Sequence, residues 1–168
     1  MDIRTIHAGD WNAIAALEAA AYTDLGLSEN RHVLESRSHA TPNLCFVLDT
    51  GTELAGYLLA LPQPAFRCPD LAMSTHDIER SPNLHLHDLV VAQRFRRRGL
   101  ATMLVGRLTA AAIDQGYQRI SLVAVGGSDA FWSAQGYQPH PEIALPAGYG
   151  PTALYMSRPI DDRTMSHA

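Results

Sequence analysis

The chain has 168 residues, a length that suits one compact domain with a sizeable apolar core. Hydrophobic residues make up 46% of it and charged residues 18%, which is typical of globular proteins and excludes a disordered chain. The net charge of −4 at pH 7 disfavours a general nucleic-acid binder, in spite of a short arginine run.

The first part of the chain predicts alternating strands and helices. Asp10 is the expected N-cap of the first helix, and Ser28 with Glu29 is the expected start of the second. A turn at residues 49–52 predicts a β-hairpin. The first strand is predicted over residues 3–7, the two helices over 11–22 and 28–38, and the two hairpin strands over 44–48 and 54–61.

Residues 61–82 predict a long irregular connection. Four of the ten prolines lie in it, at positions 62, 64, 69 and 82. Long loops inside compact domains are usually functional or mobile. A surface excursion without a role is the alternative, and the pattern leaves both open.

The second part of the chain continues as strands and helices without an internal repeat. The predicted strands cover residues 85–91, 120–125 and 153–157, and a further strand begins at 137. The predicted helices cover residues 100–113 and, for a short one, 129–134. We therefore predict a single domain over residues 1–160, followed by a C-terminal tail at 161–168.

The most informative stretch is the junction between the predicted strand at 85–91 and the predicted helix that follows. Its loop reads RRRGLA at residues 96–101, with a glycine where the helix must begin. The start of a helix leaves backbone N–H groups unpaired and carries the positive end of the helix dipole. With arginines beside it, this junction predicts a site for a phosphate or pyrophosphate.

Two histidines alternate on the predicted strand. His85 and His87 are two residues apart, so their side chains leave the same face. The ordinary pKa of histidine, about 6.5, suits a proton acceptor near neutral pH. Structural imidazoles are one alternative, and a metal site with His76 or Asp88 as a third ligand is another. No further Cys/His/Asp pattern supports a metal, and we predict none.

The same residues resemble a known family. The strand, the RRRGLA loop and the helix resemble the coenzyme A motif of the GNAT superfamily of N-acetyltransferases, Arg/Gln-x-x-Gly-x-Gly/Ala. HLHDLVV at 85–91 is most similar to the HxHxLAV strand of the arylalkylamine N-acetyltransferases. FWSAQGY at 131–137 resembles the later FYxxxGF element, with Trp132 where the family usually has Tyr. The resemblance implies an α/β (α+β) fold, a mixed, mostly antiparallel twisted sheet of six or seven strands with helices on both faces.

The resemblance also implies acetyl-CoA as the co-substrate. Strand backbone is expected to pair with the pantetheine arm, loop and helix amides to bind the pyrophosphate, and arginine side chains to reach the 3′-phosphate. The predicted contacts are Leu89, Val90, Val91, Arg96, Arg97, Arg98, Gly99, Leu100, Ala101, Thr102, Ser128 and Trp132. Arg94 is expected to be solvated.

The implied reaction is acetyl transfer to a primary amine, an arylalkylamine or another small amine, by direct attack in a ternary complex. His85 and His87 are the predicted catalytic residues, which take the proton of the amine through water. Trp132 cannot replace the family's tyrosine acid, because an indole N–H is not a useful acid. The candidate acceptor residues are Tyr22, Leu25, Leu27, Phe66 and Met73 for an aromatic amine, or Asp24 and Glu29 for a polyamine or aminoglycoside.

Other functions remain open at this stage. The fold supports protein or peptide N-acetylation, and the missing tyrosine favours a non-catalytic acyl-CoA sensor. Cys45 and Cys68 are too few for a disulfide framework, and no signal peptide or membrane span is evident, so we expect a cytoplasmic protein without membrane contact. A monomer or a homodimer is expected.

Overall fold

The computed structural model describes residues 1–68 and 81–160. The predicted loop residues 69–80, with Met73 and His76, and the predicted tail 161–168 lie outside the described residues. In chain order the strands and helices are β1 (Asp2–Thr5), α1 (Trp11–Tyr22), α2 (Arg31–Ala40), β2 (Phe46–Asp49), β3 (Leu54–Pro62), β4 (Asn83–Val91), α3 (Leu100–Asp114), β5 (Arg119–Ala124), α4 (Asp129–Ala134), β6 (Gln138–Pro139) and β7 (Leu154–Pro159). None of the helices in this part of the chain is long and apolar enough to cross a membrane.

The strands form one mixed sheet. Their order is β1-β2-β3-β4-β5-β7-β6. β4 and β5 run parallel, whereas β1–β2, β2–β3, β5–β7 and β6–β7 are antiparallel. A seven-stranded, mostly antiparallel sheet with helices confirms the predicted fold class.

The described residues group into two compact units, and β4 contributes residues to both. Unit 1 comprises residues 1–61 and 86–111, and unit 2 comprises residues 62–68, 81–85 and 112–160. The single domain over 1–160 remains a prediction.

In unit 1, α1 and α2 cover an apolar core. The core includes Trp11, Ile14, Leu34, Val47, Tyr57 and Leu59. Helix α1 has the predicted bounds, but Asp10 does not cap it with its side chain. Instead the Asp10 carboxylate accepts hydrogen bonds from Arg4 at 2.8 Å and from the backbone N–H of His7 at 2.7 Å. The predicted cap is therefore wrong, because a tertiary ion pair takes the carboxylate.

Helix α2 begins later than predicted. Its N-cap is Asn30, whose side chain accepts a hydrogen bond from the backbone N–H of Val33 at 3.0 Å. Ser28 and Glu29 precede the helix, because both are bonded to the carboxylate of Glu18 on α1.

Strands β3 and β4 approach each other closely within unit 1. A Cβ atom placed on Gly56 of β3 would lie 2.5 Å from the carbonyl oxygen of Val90 on β4. No side chain fits there without a shift of backbone, so glycine is required at this position.

In unit 2, the FWSAQGY segment ends α4 with a Schellman motif. The backbone N–H of Tyr137 donates to Trp132 O at 3.1 Å, and that of Gly136 donates to Ser133 O at 3.0 Å. Gly136 has a φ of +89°, which a side chain would strain. The rings of Trp132 and Tyr137 make the apolar contact that accompanies this motif, with centroids 5.3 Å apart.

We expect Gly56→Ala to lower the free energy of unfolding by about 1–3 kcal/mol, because the added methyl group forces β3 away from β4. Urea unfolding followed by circular dichroism measures this. Gly106→Ala on α3 is the matched control, because a Cβ atom at Gly106 meets nothing within 4 Å and alanine favours a helix. Equal effects of the two changes would contradict the close approach.

Candidate functional site

The junction after β4 is an exposed loop that turns directly into α3. Arg97 and Gly99 have φ angles of +65° and +75°, and residues 96–99 are exposed. The side-chain Nε of Arg96 donates to the carbonyl oxygen of Val91 at 3.1 Å, which ties the loop back to the end of the strand. The first helical hydrogen bond runs from Met103 N to Gly99 O at 3.1 Å. The loop is thus a defined turn whose residues 96–99 are exposed.

The start of α3 has the chemistry of an anion site. The first turn of this 15-residue helix contains no acidic side chain. N–H groups at the start of a helix have no carbonyl partner within it, and they carry the positive end of the dipole. The guanidinium of Arg98 lies 5.5 Å from the centre of the Phe95 ring, which leaves its charge beside the turn. Arg94 forms an ion pair with Glu53, so it is paired and not merely solvated.

The structure places the predicted cofactor contacts in both units. Most belong to unit 1: Leu89, Val90, Val91, Arg96, Arg97, Arg98, Gly99, Leu100, Ala101 and Thr102. Leu89, Val90 and Val91 follow the last described pair of the β4–β5 register, His85↔Ser121. Ser128 and Trp132 belong to unit 2. The Ser128 hydroxyl donates to Val125 O at 2.8 Å, and Trp132 is 6% exposed.

His87 lies in a charged cluster within unit 1. Its Nε2 atom lies 2.6 Å from Nη1 of Arg37 on α2 and 3.0 Å from Oε1 of Glu29. Arg37 and Glu29 themselves form an ion pair at 2.6 Å. Arg37 is 7% exposed, and buried charges of this kind require a partner.

The ionisation of Glu29 follows from these contacts. Burial acts to raise its pKa, but hydrogen bonds from His87 and Arg37 outweigh this and hold the pKa at about 2. Glu29 is therefore a carboxylate throughout the neutral range. Its backbone N–H and the hydroxyl of Ser28 both donate to the carboxylate of Glu18 at 2.6 Å, and Glu18 is 1% exposed.

His85 lies in a different polar cluster, within unit 2. Its Nδ1 atom lies 2.9 Å from the hydroxyl of Ser121, which also accepts a hydrogen bond from the Asn83 side chain at 2.9 Å. The ring of Tyr155 stacks at a centroid distance of 6.4 Å. His85 is 2% exposed. The two motif histidines, two positions apart on β4, thus contact different sets of polar residues.

Asp88 follows His87 and is buried on β4. Its carboxylate accepts a hydrogen bond from the Tyr57 hydroxyl at 3.1 Å, so it does not cap a loop. Burial, reinforced by the nearby Glu18 and Glu29 carboxylates, raises the pKa of Asp88 to about 6, although His87 and Tyr57 oppose the shift. Burial and the same carboxylate raise the pKa of the Tyr57 hydroxyl.

The candidate acceptor residues are dispersed. Tyr22 lies beside Asp88 in unit 1, where burial and that carboxylate raise the pKa of its hydroxyl. Leu25 and Phe66 are 46% and 43% exposed. Phe66 lines a cavity of about 580 Å³ in unit 2, together with Cys68, Ile143 and Pro146. Across residues 1–68 and 81–160, no three His, Cys, Asp or Glu side chains are arranged to hold a metal ion.

Sequence reasoning missed the charged partners of His87. Glu18 carries a local signal, because it lies four residues after Ile14 and is a charged residue on the apolar face of α1. Arg37 carries a similar signal, because it is buried on α2 beside Leu34. The pairing of Arg37 with His87 spans 50 residues of sequence and has no local signature.

Comparisons with known proteins identify the family and the fold of the chain. A model of the acetyltransferase (GNAT) family matches residues 11–137. The ribosomal-protein-S18-alanine N-acetyltransferase from Escherichia coli is similar in structure, with a TM-score of 0.70 and 16% identity, over 95% of this chain and 94% of that one. No curated protein matches the chain in sequence.

Two further solved structures are similar in fold. Ard1 from Thermoplasma volcanium has a TM-score of 0.73 at 14% identity, over 95% of this chain and 97% of that one. N-acetylglutamate synthase from Neisseria gonorrhoeae, complexed with coenzyme A and N-acetyl-glutamate, has a TM-score of 0.70 at 19% identity, over 95% of this chain and 35% of that one.

The raised pKa of Asp88 predicts a pH-dependent effect of Asp88→Asn. The wild-type protein loses stability as pH rises from about 4 to about 6, because the buried carboxyl group must ionise, whereas asparagine does not ionise. Relative to wild type, the variant therefore gains unfolding free energy across that window, by roughly 3 kcal/mol at most. Urea unfolding on both sides of the window measures the difference, with the exposed Asp24→Asn as a control for net charge. A difference that does not change with pH would contradict the burial argument.

Proposed function

The chain belongs to the acetyltransferase (GNAT) family, whose members are acyl-CoA-dependent acetyltransferases, and on that premise we propose that it transfers the acetyl group of acetyl-CoA to a primary amine. One observation carries the proposal. His87, paired with Glu29 and Arg37, lies on the strand that leads directly into the anion-binding turn at Gly99. The proposed proton acceptor and the proposed phosphate site thus belong to consecutive segments of unit 1.

The start of α3 binds the pyrophosphate of acetyl-CoA in this proposal. The N–H groups of Leu100 and Ala101 have no carbonyl partner within the helix, and together with the positive end of the helix dipole they favour an anion there. Arg97 and Arg98 supply the positive charge that reaches a further phosphate. The backbone of Leu89 to Val91 pairs with the pantetheine arm in the manner of an added strand, and its N–H groups polarise the thioester carbonyl.

The chemistry is direct attack of the amine on the thioester. An alkylamine is protonated at neutral pH and must lose a proton before its lone pair can react. His87, with His85 as the second candidate, accepts that proton through water. The C–N bond forms, the C–S bond breaks, the nitrogen loses a second proton to solvent to give the amide, and CoA leaves as a thiolate that takes a proton from solvent. Trp132 cannot supply this proton, so the proposed reaction proceeds without a tyrosine acid.

The favoured acceptor is a small amine without a carboxylate, such as an arylalkylamine. The two carboxylates that interact with His87, Glu29 and Asp88, outnumber the one guanidinium of Arg37, and an excess of negative charge favours a cationic substrate. The HxHxLAV-like strand supports the arylalkylamine class. The apolar side chains of Tyr22 and Leu25, as part of the proposed acceptor site, suit an arylalkylamine as well.

A protein or peptide amine is the second candidate acceptor. The similar structure from Escherichia coli is named as an N-acetyltransferase of a ribosomal-protein alanine. An acyl-CoA sensor is the third candidate, and it is favoured by the tryptophan at position 132. We place the protein in the cytoplasm, since Cys45 and Cys68 are not joined in a disulfide and thiols suit a reducing compartment. We expect a monomer or a homodimer.

Release of CoA thiol against a panel of amines tests the function. The panel spans tryptamine, phenylethylamine, polyamines, aminoglycosides and short peptides. We expect turnover with arylalkylamines, and a loss of about 100-fold or more in kcat at neutral pH for His87→Ala, partly recovered at high pH where the free amine is abundant. His32→Ala, an exposed histidine on α2, is the matched control.

The remaining outcomes are informative. Turnover with peptides alone supports acetyl transfer to an amine but overturns the arylalkylamine as the acceptor. Tight acetyl-CoA binding without turnover on any amine overturns the transferase proposal in favour of the sensor.

We expect Gly99→Ala to weaken acetyl-CoA binding by about tenfold or more, because its Cβ atom lies where the pyrophosphate meets the backbone and its φ of +75° is strained for alanine. Isothermal titration calorimetry measures the affinity. Gly116→Ala is the matched control at the other end of α3, with a φ of +86° and nothing within 4 Å of its Cβ. It carries a similar backbone strain and is expected to leave the affinity unchanged. An equal loss in both variants would point to helix stability instead of ligand contact.

A further inference from the structure

Three polar atoms meet at the ring of His87. The distance from Nη1 of Arg37 is 2.6 Å both to Oε1 of Glu29 and to Nε2 of His87. The distance between Nε2 of His87 and Oε1 of Glu29 is 3.0 Å. A guanidinium only donates hydrogen bonds and a carboxylate only accepts them, whereas an imidazole nitrogen does either. Without a proton, Nε2 accepts from Arg37. With a proton, it donates to Glu29. Both protonation states of the ring therefore have a hydrogen-bond partner at the same atom.

We propose that Glu29 is a positioning residue that stabilises the protonated ring of His87, and that Glu18 holds Glu29 in place for this purpose. The inference rests on the proposed function, in which His87 receives the proton of the amine. That proton binds to Nε2, whose hydrogen bond then changes from Arg37 to Glu29, and it later passes to solvent. The ring does not have to rotate for this exchange.

Glu18 acts through the backbone. Its buried carboxylate accepts two short, charge-assisted hydrogen bonds, from the Ser28 hydroxyl and from the Glu29 N–H. Both donors lie in the link before α2, which begins only at Arg31. These bonds fix the Glu29 backbone against α1. The Glu29 side chain then extends from a fixed point to the two partners on α2 and β4.

The charges shown to act on the ring come from three elements. Glu29 lies in the link before α2 and Arg37 on α2, while Asp88 is the next residue on β4 and interacts electrostatically with His87. Glu18 on α1 interacts with Glu29 and with Asp88. Arg37 opposes a proton on the ring and the carboxylates favour it. Among the carboxylates, the 3.0 Å contact with Nε2 belongs to Glu29. Removal of its charge therefore has the largest expected effect.

The kinetic test compares Glu29→Gln and Glu18→Gln with wild type in the full chain. The amine is the best one in the panel. For Glu29→Gln we expect kcat to fall by about tenfold or more while KM for acetyl-CoA stays within about twofold, and we expect the acid limb of kcat/KM to move to lower pH. Glu18→Gln is expected to move both quantities in the same direction by less. Glu35→Gln is the matched control, because Glu35 lies on α2 and pairs with Arg31 at 3.8 Å.

A second measurement does not depend on turnover. Nitrogen-15 NMR of histidine-labelled protein follows protonation of the His87 ring, assigned by comparison with His87→Ala. We expect the ring of Glu29→Gln to lose its proton at a lower pH than the wild-type ring, because the anion that stabilises the charged form is gone. Glu29→Asp keeps the charge and is expected to restore part of the wild-type titration, which separates the charge from an effect on folding.

The two proposals fail in different ways. Coincident titration curves for wild type and Glu29→Gln overturn the positioning role, whatever the activity. A shifted titration in a protein that acetylates no amine supports the role of Glu29 at the ring and overturns the transferase proposal on which its catalytic meaning rests.

Discussion

A buried charge must have a partner, and this requirement organises the candidate site. Glu18, Arg37 and Asp88 are at most 7% exposed, and an isolated charge at such a position costs several kcal/mol. The fold satisfies each of them with partners from other helices, strands or links. Glu18 binds the link before α2, Arg37 binds Glu29 and His87, and Asp88 binds Tyr57. These bonds set where α2 begins and which partners the ring of His87 meets.

Strand β4 connects these groups because His87 and Asp88 are consecutive residues on it. His87 contacts Arg37 of α2, while the Asp88 carboxylate is bonded to Tyr57 of β3. The two neighbouring residues therefore have different hydrogen-bond partners. The burial of Asp88 raises its pKa, whereas the ion pairs around Glu29 lower the pKa of that group. Asp88 and Glu29, which both interact with His87, therefore have very different pKa values because their surroundings differ.

The sequence predicts what depends on neighbouring residues. Helix α1 has its predicted bounds, and the strand–turn–helix junction at Gly99 follows from a local pattern that the structure reproduces. Local preference fails where a partner on another helix or strand competes for the same atoms. Asp10 is a good N-cap residue, but Arg4 binds its carboxylate. Ser28 and Glu29 resemble a helix start, but Glu18 binds both.

The same distinction applies to the candidate site. The alternation of His85 and His87 is visible in the sequence, but their partners are not, because Glu29 and His87 are 58 residues apart. No spacing rule connects a residue before α2 to a residue on β4. The sequence signal available is a charged residue at a position on the apolar face of a helix. It identifies Glu18 without identifying the partner of Glu18.

The motif at residues 131–137 has a role in packing that does not depend on a catalytic group. Trp132 and Tyr137 occupy the two positions of a Schellman motif whose side chains contact each other, and Gly136 supplies the left-handed turn between them. A large aromatic ring at position 132 satisfies this packing whether it is an indole or a phenol. Only a phenol carries an O–H group that can protonate a leaving thiolate. The spacing of the motif is therefore explained by the end of a helix, and its match to a catalytic element is no argument for an acid at this position. In the proposed reaction, proton transfer therefore depends on the histidines of β4, and His87, with its charged partners Glu29 and Arg37, is the residue for which we propose this role.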